Sequence, residues 1–280
     1  MTMRRSVNFM RGLSLAAAVV AFSLMLIPVA KAMRLAPMVA EMSTSGSGAT
    51  ARIEVGNVGS RAMPFETAIT RVEMDSEGRI TETPGDDDFL VFPPQGLVAV
   101  NGQQVVRVQW VGPPLEQTRA YYLAVKQLPV ETDPTAIPDT QSAISVNVLY
   151  TMKTLLLVSP RGVTPDVKVT SVSPTDVTTP QPEIDPSLSV TDLPTPASTP
   201  GVKVEVTNQG GRHAMMSGAT WIIEGTSVSG ESFSRRLSGT EVSQMVGVGY
   251  VPAGGGRRVF DLPLGVALDP AKPMTVRFTR

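Results

Sequence analysis

The chain has 280 residues, 42% of them apolar, with 24 glycines, 24 prolines, no cysteine, and 24 basic against 25 acidic side chains. That length allows two domains of ordinary size, each with a sizeable core. The lack of cysteine excludes disulfides, thiol chemistry and cysteine-ligated metals, so an exported form must hold its fold by core burial alone.

Residues 1–32 read as a secretory signal peptide. Arg4, Arg5 and Arg11 supply a positive start, Leu13 to Ile27 is an uncharged apolar run, and Ala30 and Ala32 are the small residues a signal peptidase needs before Met33. This segment holds four of the 24 basic residues and no acid, so the mature chain carries 20 basic against 25 acidic residues, net −5. A nucleic-acid partner, which wants a basic stripe, is not expected. No second apolar stretch is long enough to span a bilayer, so no membrane insertion of the mature chain is expected. Export without disulfides points to a bacterial periplasm.

The mature chain is rich in valine, threonine and turn formers, which predicts an all-β protein of short strands. A first strand is expected over Arg34 to Met42. Ala51 to Val55 alternates as a second and stops at the turn cluster from Asn57 to Gly59. Met63 to Met74 and Arg79 to Thr83 flank the turn Asp75 to Gly78. Asp86, Asp87 and Asp88 lack the spaced oxygen ligands and the glycine of a calcium loop, and read as a solvated acidic turn. Phe89 to Pro94 reads as an edge segment, because neither Pro93 nor Pro94 can donate to a ladder. Asn101-Gly102 between Leu97–Val100 and Gln104–Trp110 predicts a hairpin, with Val106, Val108 and Trp110 facing the core. Arg119 to Val130 is a further strand. Ile144 to Val148 then alternates strictly with Ser145 and Asn147, Tyr150 continues that face, and Leu155 to Val158 is a continuous apolar run. Strands and turns at this spacing predict an immunoglobulin-like β-sandwich over residues 33–160.

The second predicted domain is a smaller β-sandwich over residues 161–280. Its first strand is expected at Val167 to Ser173, followed by a Pro/Thr/Ser-rich insertion near 171–200 that is too polar to build a core. Further strands are expected at Gly201–Thr207, Ala219–Glu224, Glu231–Leu237, Arg257–Leu264 and Met274–Phe278.

Enzyme chemistry finds little in the sequence. His213 is the only histidine and lies beside Gly210, Gly211 and Arg212 in a predicted turn, with no motif-borne serine nearby. Glu73 with Asp86 to Asp88 reads as turn polarity, not as a glycosidase pair. No cofactor or metal site is expected.

The order of features in residues 34–160 resembles the periplasmic pilus chaperones of the PapD-like family. The resemblance rests on a strand ending in Asn57, the Phe92-Pro93-Pro94 edge, Gly102 with Gln104 and Arg107, Arg119-Ala120-Tyr121-Tyr122 with Leu128-Pro129, and an alternating last strand before Pro160. Val204 to Asn208, Pro252, Gly254 to Gly256 and Phe260 to Pro263 resemble the family's second sandwich more weakly.

This resemblance implies two immunoglobulin-like domains that bind pilus or fimbrial subunits lacking their last strand, lend them a strand of their own, and deliver them to an outer-membrane usher. Strand addition of this kind supplies main-chain hydrogen bonds for register and alternate side chains for pockets; chaperone–pilin complementation is one of its standard examples. Ile144, Val146 and Val148 fall on the family's donor positions, with Tyr150 as a fourth, and Lys153 matches the cleft lysine that anchors a subunit's C-terminal carboxylate. The family pairs that lysine with an arginine in the first strand. Leu35 to Met42 holds none, so either Arg34 substitutes or Lys153 acts singly. Ala120 stands where the family carries an acid of an interdomain ion network. The competing reading is an exported two-domain structural or adhesive surface protein, which would bury the strand around residues 144–150 in its own sheet.

Overall fold

The computed structural model describes residues 33–129, 149–178 and 198–279. The expected signal peptide, Ile144, Val146, Val148 and the centre of the Pro-rich segment lie outside these residues. The described chain is all-β and forms two sandwiches, each with its own buried core.

The first sandwich contains β1 (Met33–Ala36), β2 (Val39–Ser43), β3 (Thr50–Asn57), β4 (Met63–Met74), β5 (Ile80–Pro84), β6 (Phe89–Phe92), β7 (Gln95–Val98), β8 (Gln103–Trp110), β9 (Arg119–Gln127) and β10 (Thr151–Ser159). One sheet runs β1-β3-β8-β6; the other runs β2-β10-β9-β4-β5, with β7 also pairing β4. Between them lie Ile53, Val55, Phe65, Ile69, Val106, Val108, Trp110, Tyr121, Leu123, Leu156 and Val158. Alternate residues of each strand meet in this layer, as two stacked sheets require.

Two expectations for this half are corrected, and a third gains detail. Residues 34–42 are two strands, not one: the chain leaves the first sheet after Ala36, turns at Pro37, and joins the second sheet at Val39. Proline has no N–H to give a ladder, so the switch falls there. Asn101-Gly102 does not close a hairpin. β7 pairs β4 in one sheet and β8 pairs β3 and β6 in the other, so the turn carries the chain between sheets, with Asn101 at φ 55°. The local signal was right about a tight turn and silent about which partners the flanking strands would take. The Asp86–Asp88 turn is anchored on the protein itself: Asp86 Oδ1 accepts from the Ile69 amide at 2.8 Å and Asp88 Oδ2 from the Tyr121 hydroxyl at 2.5 Å. Burial and the Asp88 carboxylate push the Tyr121 hydroxyl up to about 12.

The second sandwich contains β11 (Val167–Thr178), β12 (Ser198–Asn208), β13 (Ala214–Met215), β14 (Thr220–Thr226), β15 (Ser232–Leu237), β16 (Tyr250–Val251), β17 (Gly256–Pro263) and β18 (Thr275–Thr279), with one helix, α1 (Gly239–Val246). Its sheets run β11-β12-β17 and β15-β14-β18, with β13 and β16 as a separate pair. The Pro-rich segment is shorter than expected at both ends, because β11 continues through Pro174 to Thr178 and β12 begins at Ser198. β11 is an edge strand, where a proline costs no central ladder bond. The helix was not expected, yet Ser238 and Glu241 form a capping box at its start, the Ser-x-x-Glu signature of a helix N-terminus.

Each sandwich carries the same clasp. Asn57 and Asn208 end β3 and β12, and both are buried. Each amide nitrogen donates to the carbonyl four residues on, Arg61 or Arg212, at 2.7 Å. Each side-chain oxygen accepts from the amide two residues on, Gly59 or Gly210. The sequence shows the repeat as Asn-x-Gly-x-Arg at 57–61 and 208–212.

Candidate functional site

The region around Lys153 is built by β10 and its neighbours. β9 covers one edge of β10 along Thr151–Val158, whereas β2 covers the other edge only along Leu155–Ser159. The Tyr150 carbonyl accepts from Gln127 N on the β9 side, and Leu155 N donates to the Met38 carbonyl on the β2 side, each at 2.9 Å. Backbone groups alternate in direction along a strand, so the N–H and C=O of Thr151 and Lys153 point to the edge that β2 leaves uncovered. No strand among the described residues pairs with that stretch.

The two faces of β10 differ. Leu156 and Val158 fill the core, with Met152 packed at its margin. Lys153, Leu155 and Leu157 point to the opposite face. There Leu157, Val72 and Ala120 pack on Tyr250 of the second sandwich, with Val39, Met74, Tyr122, Leu155 and Met215 half-buried around them. The apolar run Leu155–Val158 follows from this arrangement, because a strand covered on both faces cannot alternate. Ala120 belongs to this seam, so the position where the family resemblance implies an acid is apolar here. Burial against the seam pushes the Tyr250 hydroxyl up to about 12.

Lys153 stands beyond the seam on the same face. Its Nζ lies 5.3 Å from the centre of the Tyr122 ring and 2.6 Å from Glu82 Oε1; the second oxygen of Glu82 accepts from Thr70 Oγ1 at 2.7 Å. The four side chains come from four strands, β10, β9, β4 and β5. Hydrogen bonds from the Lys153 ammonium and then the Thr70 hydroxyl hold the Glu82 carboxyl below the usual carboxylate range. Arg34 does not join this group: it lies in the opposite sheet and pairs with Glu54 at 2.5 Å. Tyr150 is exposed immediately before β10.

The sandwiches are also tied by polar contacts. Thr118 Oγ1 shares a hydrogen with Ser159 Oγ at 2.8 Å and accepts from the His213 amide at 3.1 Å, while its own amide donates to the Gly211 carbonyl at 2.9 Å. Arg212 pairs with Glu41, and the buried His213 ring stacks beside Tyr250 at 6.0 Å. A third contact joins Val259 N to the Ser76 carbonyl at 2.8 Å. Glu41, Glu82 and Thr70 are not marked as site residues by any motif in the sequence. Their sole local signal is an outward position on a strand, which most surface residues share. His213, expected in a turn, is nearly inaccessible and serves this interface. Among the described residues no group of histidines and carboxylates is arranged to hold a metal.

The architecture defines a class: two immunoglobulin-like sandwiches, the first carrying a last strand with one edge partly open beside the junction. Residues 40–164 match the family described as pili and flagellar-assembly chaperone, PapD N-terminal domain. Over this first sandwich the chain matches the PapD-like family of pilus-assembly chaperones. Among solved structures, the class 5 fimbriae chaperone CfaA is 9% identical, with a TM-score of 0.48, over 89% of this chain and 99% of its own. The E. coli chaperone DraB is 13% identical, with a TM-score of 0.47, over 83% of this chain and 86% of its own. The Salmonella enterica SafA pilin–SafB chaperone complex gives 16% identity and a TM-score of 0.45, over 84% of this chain and 86% of that one. No curated protein matches the sequence.

Proposed function

We propose that this protein is a periplasmic chaperone that captures pilus or fimbrial subunits by donor-strand complementation and delivers them to an outer-membrane usher. The observation that carries the reading is the uncovered edge of β10 at Thr151 and Lys153, in a chain whose first sandwich matches the PapD-like family. A subunit strand laid along this edge gains main-chain hydrogen bonds from groups already held in extended geometry, so little ordering cost falls on the chaperone. Upstream, Ile144, Val146 and Val148 lend alternate apolar side chains to the subunit core, with Tyr150 at the root of the donor segment. Each aliphatic side chain buried there contributes on the order of 1.5–3 kcal/mol before ordering costs.

Lys153, on the face beside the edge, binds the subunit's terminal carboxylate without a companion arginine from the first strand. Such a pair fixes register more than it adds affinity. The chemistry is binding, with no bond made or broken, and it needs no nucleotide or metal. The test is purification of the tagged chain from periplasmic extract, followed by identification of what accompanies it. Subunits with an incomplete immunoglobulin-like fold should co-purify with the native chain and be lost with Lys153→Ala. A folded native chain that brings down no such subunit sinks the proposal.

A further inference from the structure

The geometry points to Glu82 as a built-in occupant of the Lys153 site, a carboxylate that an incoming carboxylate must displace. This inference rests on the reading of Lys153 as an anchor. Glu82 meets the site as a chain terminus would: one oxygen takes the Lys153 ammonium at 2.6 Å and the other takes the Thr70 hydroxyl at 2.7 Å, with the Tyr122 ring beneath the cation. The ammonium, hydroxyl and aromatic face together form a cradle for one carboxylate, and Glu82 fills it.

The placement of Glu82 suits an occupant that leaves. It stands on β5, the edge strand of its sheet, whose only partner among the described strands is β4 and whose five residues are all exposed. Edge segments with few buried contacts open at little cost. Lys153 and Glu82 keep 39% and 30% of their side-chain surface accessible, so water and a competing anion reach both. The pair is therefore worth no more than a partly exposed ion pair, about a threefold to fivefold handicap on a competitor. That is enough to discriminate: a ligand offering only a carboxylate gains little over Glu82, whereas one that also pairs with the Thr151–Lys153 edge gains both. Glu82 thus makes carboxylate capture conditional on strand addition.

The test uses the purified full chain with its lysines reductively methylated by labelled formaldehyde, so that Lys153 gives an NMR signal assigned by Lys153→Arg. An N-acetylated dipeptide with a free carboxylate is titrated against its C-terminal amide. In Glu82→Gln the acid should shift the Lys153 signal with half-saturation about threefold to fivefold lower than in the native chain, and the amide should shift it in neither. Glu82→Asp, too short to reach Nζ while keeping its charge, should behave like Glu82→Gln and serves if the amide variant folds poorly. Equal half-saturation in native and variant chains, or a Lys153 signal in Glu82→Gln that does not respond to the acid, overturns the inference. Subunit capture is measured separately: loss of capture in every form with the acid shift retained leaves the Glu82 inference standing and removes the chaperone reading. Intact capture with an unmoved half-saturation does the reverse.

Discussion

Leu155 donates its amide hydrogen to the Met38 carbonyl at 2.9 Å, and this bond marks the place where β10 acquires its second partner. From Leu155 to Ser159 the strand is held between β2 and β9; from Thr151 to Thr154 β9 alone holds it within the described sheet. The same strand is therefore a core element at one end and an available edge at the other. Folding and capture should be separable by mutation along its length.

Proline substitution tests that division directly. The Thr151 amide points to the uncovered edge, where a missing N–H leaves no ladder bond broken. The Met152 amide points to β9, where the same change removes a ladder bond and leaves a carbonyl unsatisfied, at a cost of about 1–3 kcal/mol. Thr151→Pro should unfold at nearly the native urea midpoint yet capture subunits poorly. Met152→Pro should be the destabilised variant. Equal destabilisation by both would show that the Thr151 edge is already engaged within the chain.

The apolar seam gives a second prediction. Leu157 is fully buried against Tyr250, Val72 and Ala120, whereas Leu155 on the same face is only half-buried. Leu157→Ala should cost about 2–4 kcal/mol, and Leu155→Ala clearly less, because the cost scales with the cavity left behind. Urea denaturation of the two variants measures the difference. A small-angle scattering profile for Leu157→Ala should also broaden if the seam holds the sandwiches together.

The paired asparagine clasps predict losses in two different cores. Asn57→Ala and Asn208→Ala each remove a buried amide that serves carbonyls and amides at a strand end, leaving those groups unsatisfied. About 1–3 kcal/mol is expected for each, and the double variant should be close to additive because the sites share no partner. Thermal unfolding of the three variants measures this. Two separate transitions, each shifted by only one of the substitutions, would mean that the sandwiches unfold independently.

The legible parts of this fold were the ones that depend on local pattern. Alternation placed Val106, Val108 and Trp110 in the core, and all three are buried. Turn chemistry marked Asn57, Asn101 and Asn208 as stops. What local pattern does not carry is the choice of partner: Asn101-Gly102 looks the same whether its strands pair with each other or diverge into two sheets. For the same reason Lys153 was identifiable only through a family resemblance. Nothing in the sequence around Glu82 brings it to Lys153, since the pair spans 71 positions and meets only after four strands have aligned.

His213 should make the junction sensitive to acid. Burial, only partly offset by Glu41 and reinforced by Arg212, lowers the imidazole below its ordinary 6.5. In the folded chain the ring therefore stays neutral at a pH where the unfolded chain has taken up a proton. The unfolded state binds more protons as pH drops through about 6.5, so stability is full above that value and declines below it until the folded pKa is passed. For one proton the slope cannot exceed about 1.4 kcal/mol per pH unit. Glu82, Asp75, Glu205 and Glu241, all held below their ordinary values, contribute their losses at lower pH, near and below the ordinary carboxylate range. Melting temperatures between pH 7.5 and 5.5 should fall for the native chain and stay nearly flat for His213→Gln, while both chains fall together below about pH 5. A His213→Gln variant that keeps the native slope between pH 7.5 and 5.5 would assign that sensitivity to another group and leave His213 a packing residue beside Tyr250 and Thr118.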